Sequence, residues 1–302
     1  VIANKDNINS DSGINNIKLN QGINFDLGQN NVSIKMLILY PDAYFNNIVL
    51  GSAAIDYETT IDELTLNNET KMFNINLGQA SKFYNCSFGH GNIISEVNLG
   101  IFSSIFNFTS GSDCSIININ LDGGSGQLMG NLSNYIGEIT LYNSVSFINI
   151  NVGLGSRIST FEVLDYSNFS GIHIDNYSSI TIINIGEGSS FSGIKLGINS
   201  ELNNINIGGN SSFTDIILNE QASLESITIG DSSLFFRLNI GILTNVNTIT
   251  LSNNSELSNF SLGIACEMVR VNLDTNIVVS DITIGDSCFL NTLTISDNIS
   301  KK

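Results

Sequence analysis

The sequence predicts an all-β fold: a single-chain parallel β-solenoid with about 22 residues per coil, each coil built from two 11-residue repeats. Three observations predict it. A branched apolar residue recurs every eleven positions from Leu141 through Val152, Val163, Ile174, Ile185 and Leu196 to Ile295, fifteen hits without a slip. A fixed short period of this kind marks a stacked repeat, in which each repeat buries its apolar face only against its neighbours. The apolar positions are rich in Ile, which favours strands. Recurrent Gly and a charged fraction of only 13% oppose the helical reading of an 11-residue period, a right-handed coiled coil.

The elements follow position by position. Residues 197–207 read Gly-Ile-Asn-Ser-Glu-Leu-Asn-Asn-Ile-Asn-Ile, and residues 285–295 read Gly-Asp-Ser-Cys-Phe-Leu-Asn-Thr-Leu-Thr-Ile. The common repeat is G-x-x-S-x-[LF]-x-x-I-x-[IL]. Its last three residues alternate apolar, polar, apolar, which is the period of a strand. The Gly (or Asn, Ser, Asp) that opens the next repeat supplies turn chemistry. Positions six, nine and eleven face inward, and so does position four, mostly Ser, Cys, Ala or Thr. The three-residue step from six to nine breaks strict alternation and requires a corner or bulge. Eleven residues are too few to circle a core, so two repeats make one coil, either a flattened two-sheet coil or a four-sided one.

The step of eleven continues upstream through Leu121, Ser110, Leu99, Phe88, Leu77 and Leu66, with Ser110 departing from the apolar rule. Two breaks interrupt it. The spacing from Leu121 to Leu141 is 20, which reads as a coil two residues short, across the Gly-rich stretch 122–130. The spacing from Leu50 to Leu66 is 16, five residues long for one repeat, across 51–55. Residues 1–55 therefore read as irregular N-terminal coils, a cap or a junction, and 56–302 as the regular solenoid. About thirteen coils spaced by roughly 4.8 Å make a rod of about 60 Å.

Composition bounds the function. The chain of 302 residues has 28 acidic and 11 basic residues, a net charge of −17, and no Lys/Arg cluster. A phosphate backbone is repelled, so nucleic acid is not an expected partner. No run of 18 apolar residues exists, so no membrane insertion is expected. The chain begins at Val1 without a signal-peptide pattern and reads as processed or as a piece of a longer protein. The 45 asparagines, with abundant Ser and Thr, suit an extracellular or virion surface. Of the four cysteines, Cys114, Cys266 and Cys288 fall at position four, where they read as small fillers equivalent to Ser. Cys266 and Cys288, 22 apart, stack in neighbouring coils where a disulfide is geometrically possible but not required.

Chemistry-bearing constellations are sparse. His90 falls in a turn and His173 at the outward position ten, nearly four coils apart or roughly 18 Å. No His or Cys pair has metal-ligand spacing, and no cofactor is expected. The weak catalytic candidates are Glu138 at position eight and Glu162 at position ten, one coil later. Diagonal neighbours on a sheet sit about 7–8 Å apart, a separation that suits inverting glycoside hydrolysis. Asp215 and Arg237, both at position eight and 22 apart, read as a cross-coil ion pair. The outward positions eight and ten carry a polar array: Asn204 and Asn206, Ser226 and Thr228, Thr248 and Thr250, Arg270 and Asn272, Thr292 and Thr294. It reads as continuing upstream on the same face through Asn74/Asn76, Glu96/Asn98 and Asn118/Asn120, as side-chain ladders that stabilise the stack.

Several resemblances accompany these patterns. The segment Ala222-Ser-Leu-Glu-Ser226 resembles one unit of the pentapeptide-repeat family, A-[DN]-L-x-x, over about half of each repeat. Thr248/Thr250 and Thr292/Thr294 resemble the T-x-T face of ice-binding β-solenoids, a pattern from which Arg270 and the Asn pairs depart. The turns Gly230-Asp231 and Gly285-Asp286 loosely resemble calcium-binding β-rolls, whose nonapeptide is absent. As a whole the chain resembles parallel β-solenoid proteins of the phage-fibre and surface-adhesin type. That resemblance implies a non-enzymatic structural or adhesive rod: a virion fibre, spike or decoration protein acting in assembly or host-surface attachment. The implied partners are other structural proteins or a cell-surface glycan or receptor, with a homo-oligomer such as a trimer. The alternatives are a polysaccharide-active β-helix enzyme and an ice-binding solenoid.

Overall fold

The computed structural model describes residues 12–19, 25–27, 32–39, 44–50, 59–77, 81–100, 103–121, 135–141, 143–296 and 300–301. The chain divides into two modules, Val1–Ser159 and Thr160–Lys302. The first holds β1 (Ser12–Leu19), β2 (Phe25–Leu27), β3 (Val32–Leu39), β4 (Tyr44–Leu50), β5 (Thr59–Leu66), β6 (Lys71–Leu77), β7 (Lys82–Phe88), β8 (Ile93–Leu99), β9 (Ser104–Ser110), β10 (Ser115–Leu121), β11 (Tyr135–Leu141) and β12 (Ser146–Val152). The module boundary falls within β13 (Arg157–Val163). The second module continues with β14 (Asn168–Ile174), β15 (Ser179–Ile185), β16 (Ser190–Leu196), β17 (Glu201–Ile207), β18 (Ser212–Leu218), β19 (Ser223–Ile229), β20 (Leu234–Ile240), β21 (Asn245–Leu251), β22 (Glu256–Leu262), β23 (Glu267–Leu273), β24 (Val278–Ile284), β25 (Phe289–Ile295) and β26 (Ser300–Lys301). In each module the odd-numbered strands pair in parallel as one sheet and the even-numbered strands as another. The coil is thus the two-sheet form of the parallel β-solenoid.

Each regular repeat is a four-residue turn, positions one to four, and a seven-residue strand, positions five to eleven. Neighbours in a sheet pair 22 residues apart, as Glu201 with Ser223 and Ser212 with Leu234. This register sets every inward side chain on its own equivalent in the next coil. Leu202, Ile205 and Ile207 of β17 meet Leu224, Ile227 and Ile229 of β19, all buried. On the even strands of the second module, position six forms an aromatic column. Phe169, Phe191, Phe213 and Phe235 follow one another at centroid separations of 4.6, 4.6 and 5.2 Å.

The bulge expected between positions six and nine exists in two forms. On the odd strands the pairing skips position seven, as from Leu202↔Leu224 to Asn204↔Ser226. The even strands of the first module do the same. On the even strands of the second module it skips position eight instead, as from Ser192↔Thr214 to Ile194↔Ile216. There the skipped residue is left-handed in six strands: Gly171, Gly193, Asp215, Arg237, Asn259 and Asp281, with φ from 54° to 82°. Gly, Asn and Asp are the residues for which this conformation costs least. In the second module the two repeats of a coil are therefore not interchangeable.

The turns depart from expectation in one respect. Their left-handed residue is position three, held by Tyr177, Asn199, Gln221, Leu243 and Ala265 among others, and not the glycine at position one. The glycine answers a packing demand. A Cβ on Gly197 would lie 2.6 Å from the backbone nitrogen of Asn176, and one on Gly230 2.6 Å from that of Gly209.

Position four carries a buried hydrogen-bond column. The backbone N–H groups of Ser167, Ser189, Ser211 and Ser233 each donate to the hydroxyl of the serine 22 residues later. The hydroxyls of Ser211, Ser233 and Ser255 in turn donate to the carbonyls of Gly186, Gly208 and Gly230. Cys266 and Cys288 take the same place, their thiols donating to Gly241 and Gly263 at 2.7 Å. Both are free thiols. Cysteine here replaces serine in its bonding as well as its size.

The register break after Leu121 also differs from the sequence reading. Ser104 pairs with Tyr135 and Ser115 with Ser146, an offset of 31 in both sheets. The spacing of 20 from Leu121 to Leu141 is therefore one repeat enlarged by nine residues, not a coil shortened by two. Stacking of like inward positions is worth more than a constant spacing, so the excess falls between the strands and the register is kept. The earlier break is as expected, one repeat enlarged by five residues, with Val32 pairing Thr59 and Tyr44 pairing Lys71. Stretches 51–55 and 122–130 lie outside the described residues. The strand pairing nevertheless extends through β1 to β4, at offsets of 20 and 23, so the segment 1–55 contributes coils to the same two sheets.

Two substitutions test this packing. Leu251 is fully buried and stacked between Ile229 and Leu273. Leu251→Asp places an unpaired carboxylate in that column, and denaturant unfolding should show a loss of several kcal/mol; unchanged stability would contradict the inward assignment. Ser110 sits between Phe88 and Leu141 in its column, buried and with no hydrogen-bond partner for its hydroxyl. Phe88, edge-on to Phe108 at 4.7 Å, supplies bulk beside the small residue. Ser110→Ala removes the orphaned group and should raise stability by about 1 kcal/mol.

Candidate functional site

Outward side chains at positions seven, eight and ten form columns along each sheet, and these columns are where chemistry can reach solvent. Several carry hydrogen-bond ladders. In the first module Asn98 donates to Asn76, Asn120 to Asn98, and Asn151 to Asn120, at 2.7 to 2.8 Å. In the second, Asn206 donates to Asn184, Ser226 to Asn204, and Asn272 to Thr250. The array proposed as one face is split. Asn74/Asn76, Glu96/Asn98 and Asn118/Asn120 lie on the even strands β6, β8 and β10, whereas the pairs from Asn204/Asn206 onward lie on odd strands. The miscounted break after Leu121 is the cause, since an inserted turn shifts the sheet assignment by one repeat. Thr248 and Thr250 are separated from Thr292 and Thr294 by Arg270 and Asn272 of β23, so the threonines form no continuous plane.

The carboxylate candidates fall in different modules. Glu138 is exposed on β11, accepting a hydrogen bond from Thr140 at 3.1 Å. Glu162 is half-buried on β13. His90 lies in an exposed turn of the first module, its Nδ1 3.0 Å from Ser112 Oγ and 3.2 Å from Asp113 Oδ2. His173 is exposed on β14 of the second module, in register with Lys195. The predicted ion pair forms: Arg237 donates to Asp215 at 2.7 Å. Its partly exposed position gives it ~0–1 kcal/mol. The Arg237 guanidinium also lies 5.3 Å from the Phe236 ring. Among the described residues no three His, Cys, Asp or Glu side chains gather as metal ligands. In the same residues no helix is long and apolar enough to cross a membrane.

One outward column was missed by the sequence reading. Position seven of β7 and β9 carries Tyr84 and Phe106, exposed by 42% and 37%. Their rings lie parallel, 5° apart in plane and 5.0 Å between centroids. Tyr135, at position five of β11, stands across Phe106 at 6.0 Å and 65°. Beside them runs the position-eight column Asn85, Asn107 and Glu138, in register across β7, β9 and β11. Asn107 donates to Asn85 at 2.8 Å. The available signal was the spacing of 22 between Tyr84 and Phe106, at an outward position where polar residues otherwise dominate.

The buried thiols Cys86, Cys114 and Cys266 are not poised as nucleophiles. Burial pushes Cys86, at the inward position nine of β7, well above its usual pKa of about 9. Burial raises Cys114 and Cys266 as well. Above pH 9 the unfolded chain releases the Cys86 proton while the folded chain retains it, so stability falls as pH rises. The slope is at most about 1.4 kcal/mol per pH unit for one thiol. Denaturant titrations at pH 8 and pH 10 should show a larger loss for the native chain than for Cys86→Val; equal losses would place the thiol in contact with solvent.

Compared with known protein families, curated proteins and solved structures, the chain matches none.

Proposed function

We propose that this chain is a structural or adhesive protein of fibre type, displayed on a virion or another extracellular surface and serving assembly or host-surface attachment. The observation that carries the reading is the uniformity of the coils. From Asn143 to Ser296 every turn has four residues, and no loop rises from the sheets to wall a cleft. The outward polar groups largely hydrogen-bond to one another along the stack. Such a surface serves rigidity and contact over an extended area better than it serves acid–base chemistry. The acidic balance keeps the surface soluble and directs it away from nucleic acid. On this reading the partners are other structural proteins, a glycan or receptor on a cell surface, and further copies of the chain.

Immunogold electron microscopy of virions and cells from the source culture tests the proposal, using antibodies raised against the purified chain. Labelled surface projections are the expected result. Label confined to the cell interior would overturn it.

A further inference from the structure

We infer that Cys288 and Cys266 form an oxidation site: Cys288 reacts with a small-molecule disulfide, and Cys266 resolves the adduct into an intramolecular disulfide that clasps β25 to β23. The inference stands apart from the attachment role. Cys266 closes the turn before β23 and Cys288 the turn before β25. The residues that follow them, Glu267 and Phe289, are register partners, and the Phe289 N–H donates to the Cys266 carbonyl at 3.0 Å. Paired strands lie about 4.8 Å apart, within the Cα separation of about 4.4–6.8 Å that a disulfide spans. The Cys288 thiol reaches back into the turn that Cys266 closes, donating to the Gly263 carbonyl at 2.7 Å. In the serine column the equivalent hydroxyl lies 3.1 to 3.3 Å from the backbone nitrogen of position four one coil earlier. Position four therefore aims each side-chain tip at its own equivalent in the preceding coil. The other two thiols have no such neighbour in their columns. Cys86 lies between Leu64 and Phe108, and Cys114 between Asn92 and Val145.

Exposure divides the roles. Cys288 is half-buried, whereas Cys266 is buried. Exchange starts from the thiolate that a reagent in solvent can reach. The Cys288 thiolate attacks one sulfur of a disulfide such as oxidised glutathione, forming a mixed disulfide and expelling one glutathione thiolate. Cys266 then gives up its proton and attacks the Cys288 sulfur, forming the protein disulfide and expelling the second glutathione thiolate. The protein loses two electrons, the reagent gains them, and the two cysteine protons end on the released thiols. Cys266 is a poor nucleophile toward solvent, but its step is intramolecular and gains from proximity. The thiol hydrogen bonds to Gly241 and Gly263 are given up. The place gives the bond its consequence. Inward residues here are far less covered than one strand earlier. Leu290 and Ile295 of β25 are 43% and 54% exposed, against 1% and 7% for Met268 and Leu273 of β23. A strand with few buried apolar contacts opens locally at least cost. The disulfide ties the start of β25 to the start of β23 and so restricts that opening.

Incubation of the purified, reduced chain with oxidised glutathione at pH 8, then acid quench, alkylation and peptide mass spectrometry, tests the inference. The expected product has one linkage, Cys266 to Cys288, with Cys86 and Cys114 still free. Cys266→Ser should stop at a stable glutathione adduct on Cys288. Cys288→Ser should leave Cys266 at least tenfold less modified over the same time. Serine is the usual residue of this column, so both variants keep its bonding. Amide hydrogen exchange in β25 should slow several-fold on oxidation and recover on reduction with dithiothreitol. Retention of all four thiols, a persistent adduct on Cys288 of the native chain, linkage between chains only, or unchanged exchange in β25 would overturn the inference.

Discussion

The structure depends on one constraint: each inward side chain must sit on its own equivalent in the next coil. A single 11-residue repeat buries almost nothing alone. Its three apolar residues gain their burial from the coils before and after, through parallel backbone pairing that holds a coil of 22 residues in register. Slipping the register by one residue would turn a strand's apolar set toward water. The turns are free of that penalty, and so they absorb the insertions that make offsets of 27 and 31 while the strands stay aligned.

The same stacking explains the polar interior. A turn entering a buried column must satisfy its N–H and C=O groups. Serine hydroxyls at position four, such as that of Ser233, do so by bridging between coils, accepting from one backbone N–H and donating to a carbonyl 25 residues earlier. Cysteine is tolerated there because a thiol can donate to that carbonyl. Glycine is placed by the same closeness of coils, where a Cβ would meet the backbone of the neighbouring turn. Two hydroxyls fall outside this scheme: Ser110, in an apolar column, and Ser156, at position four itself, are buried without a partner.

Outside the core, stacking converts any residue repeated at a spacing of 22 into a column. Amide columns become ladders that close on themselves. Opposite charges at that spacing become a pair, as Asp215 and Arg237 do. Aromatic columns stack ring on ring, as Tyr84 does on Phe106, and end wherever a small residue interrupts them. Glu138 and Glu162 were singled out by residue type and spacing, and the boundary between the two modules falls between them. The aromatic column that borders Glu138 was overlooked because the reading followed titratable groups.

Much of this protein was determined by its sequence alone. The eleven-residue period, the parallel all-β fold, the 22-residue coil, the inward positions and the Asp215–Arg237 pair all follow from local periodicity, because the same interaction recurs in every coil. Tertiary pairing decided the rest. It counted the spacing after Leu121 as one enlarged repeat and so placed Asn118 and Asn120 on the even strands. It also placed the bulge at position eight in the even strands of the second module. The physical reason is that spacing along a chain counts residues, whereas hydrogen bonding between strands counts coils. An insertion in a turn changes the first and leaves the second untouched.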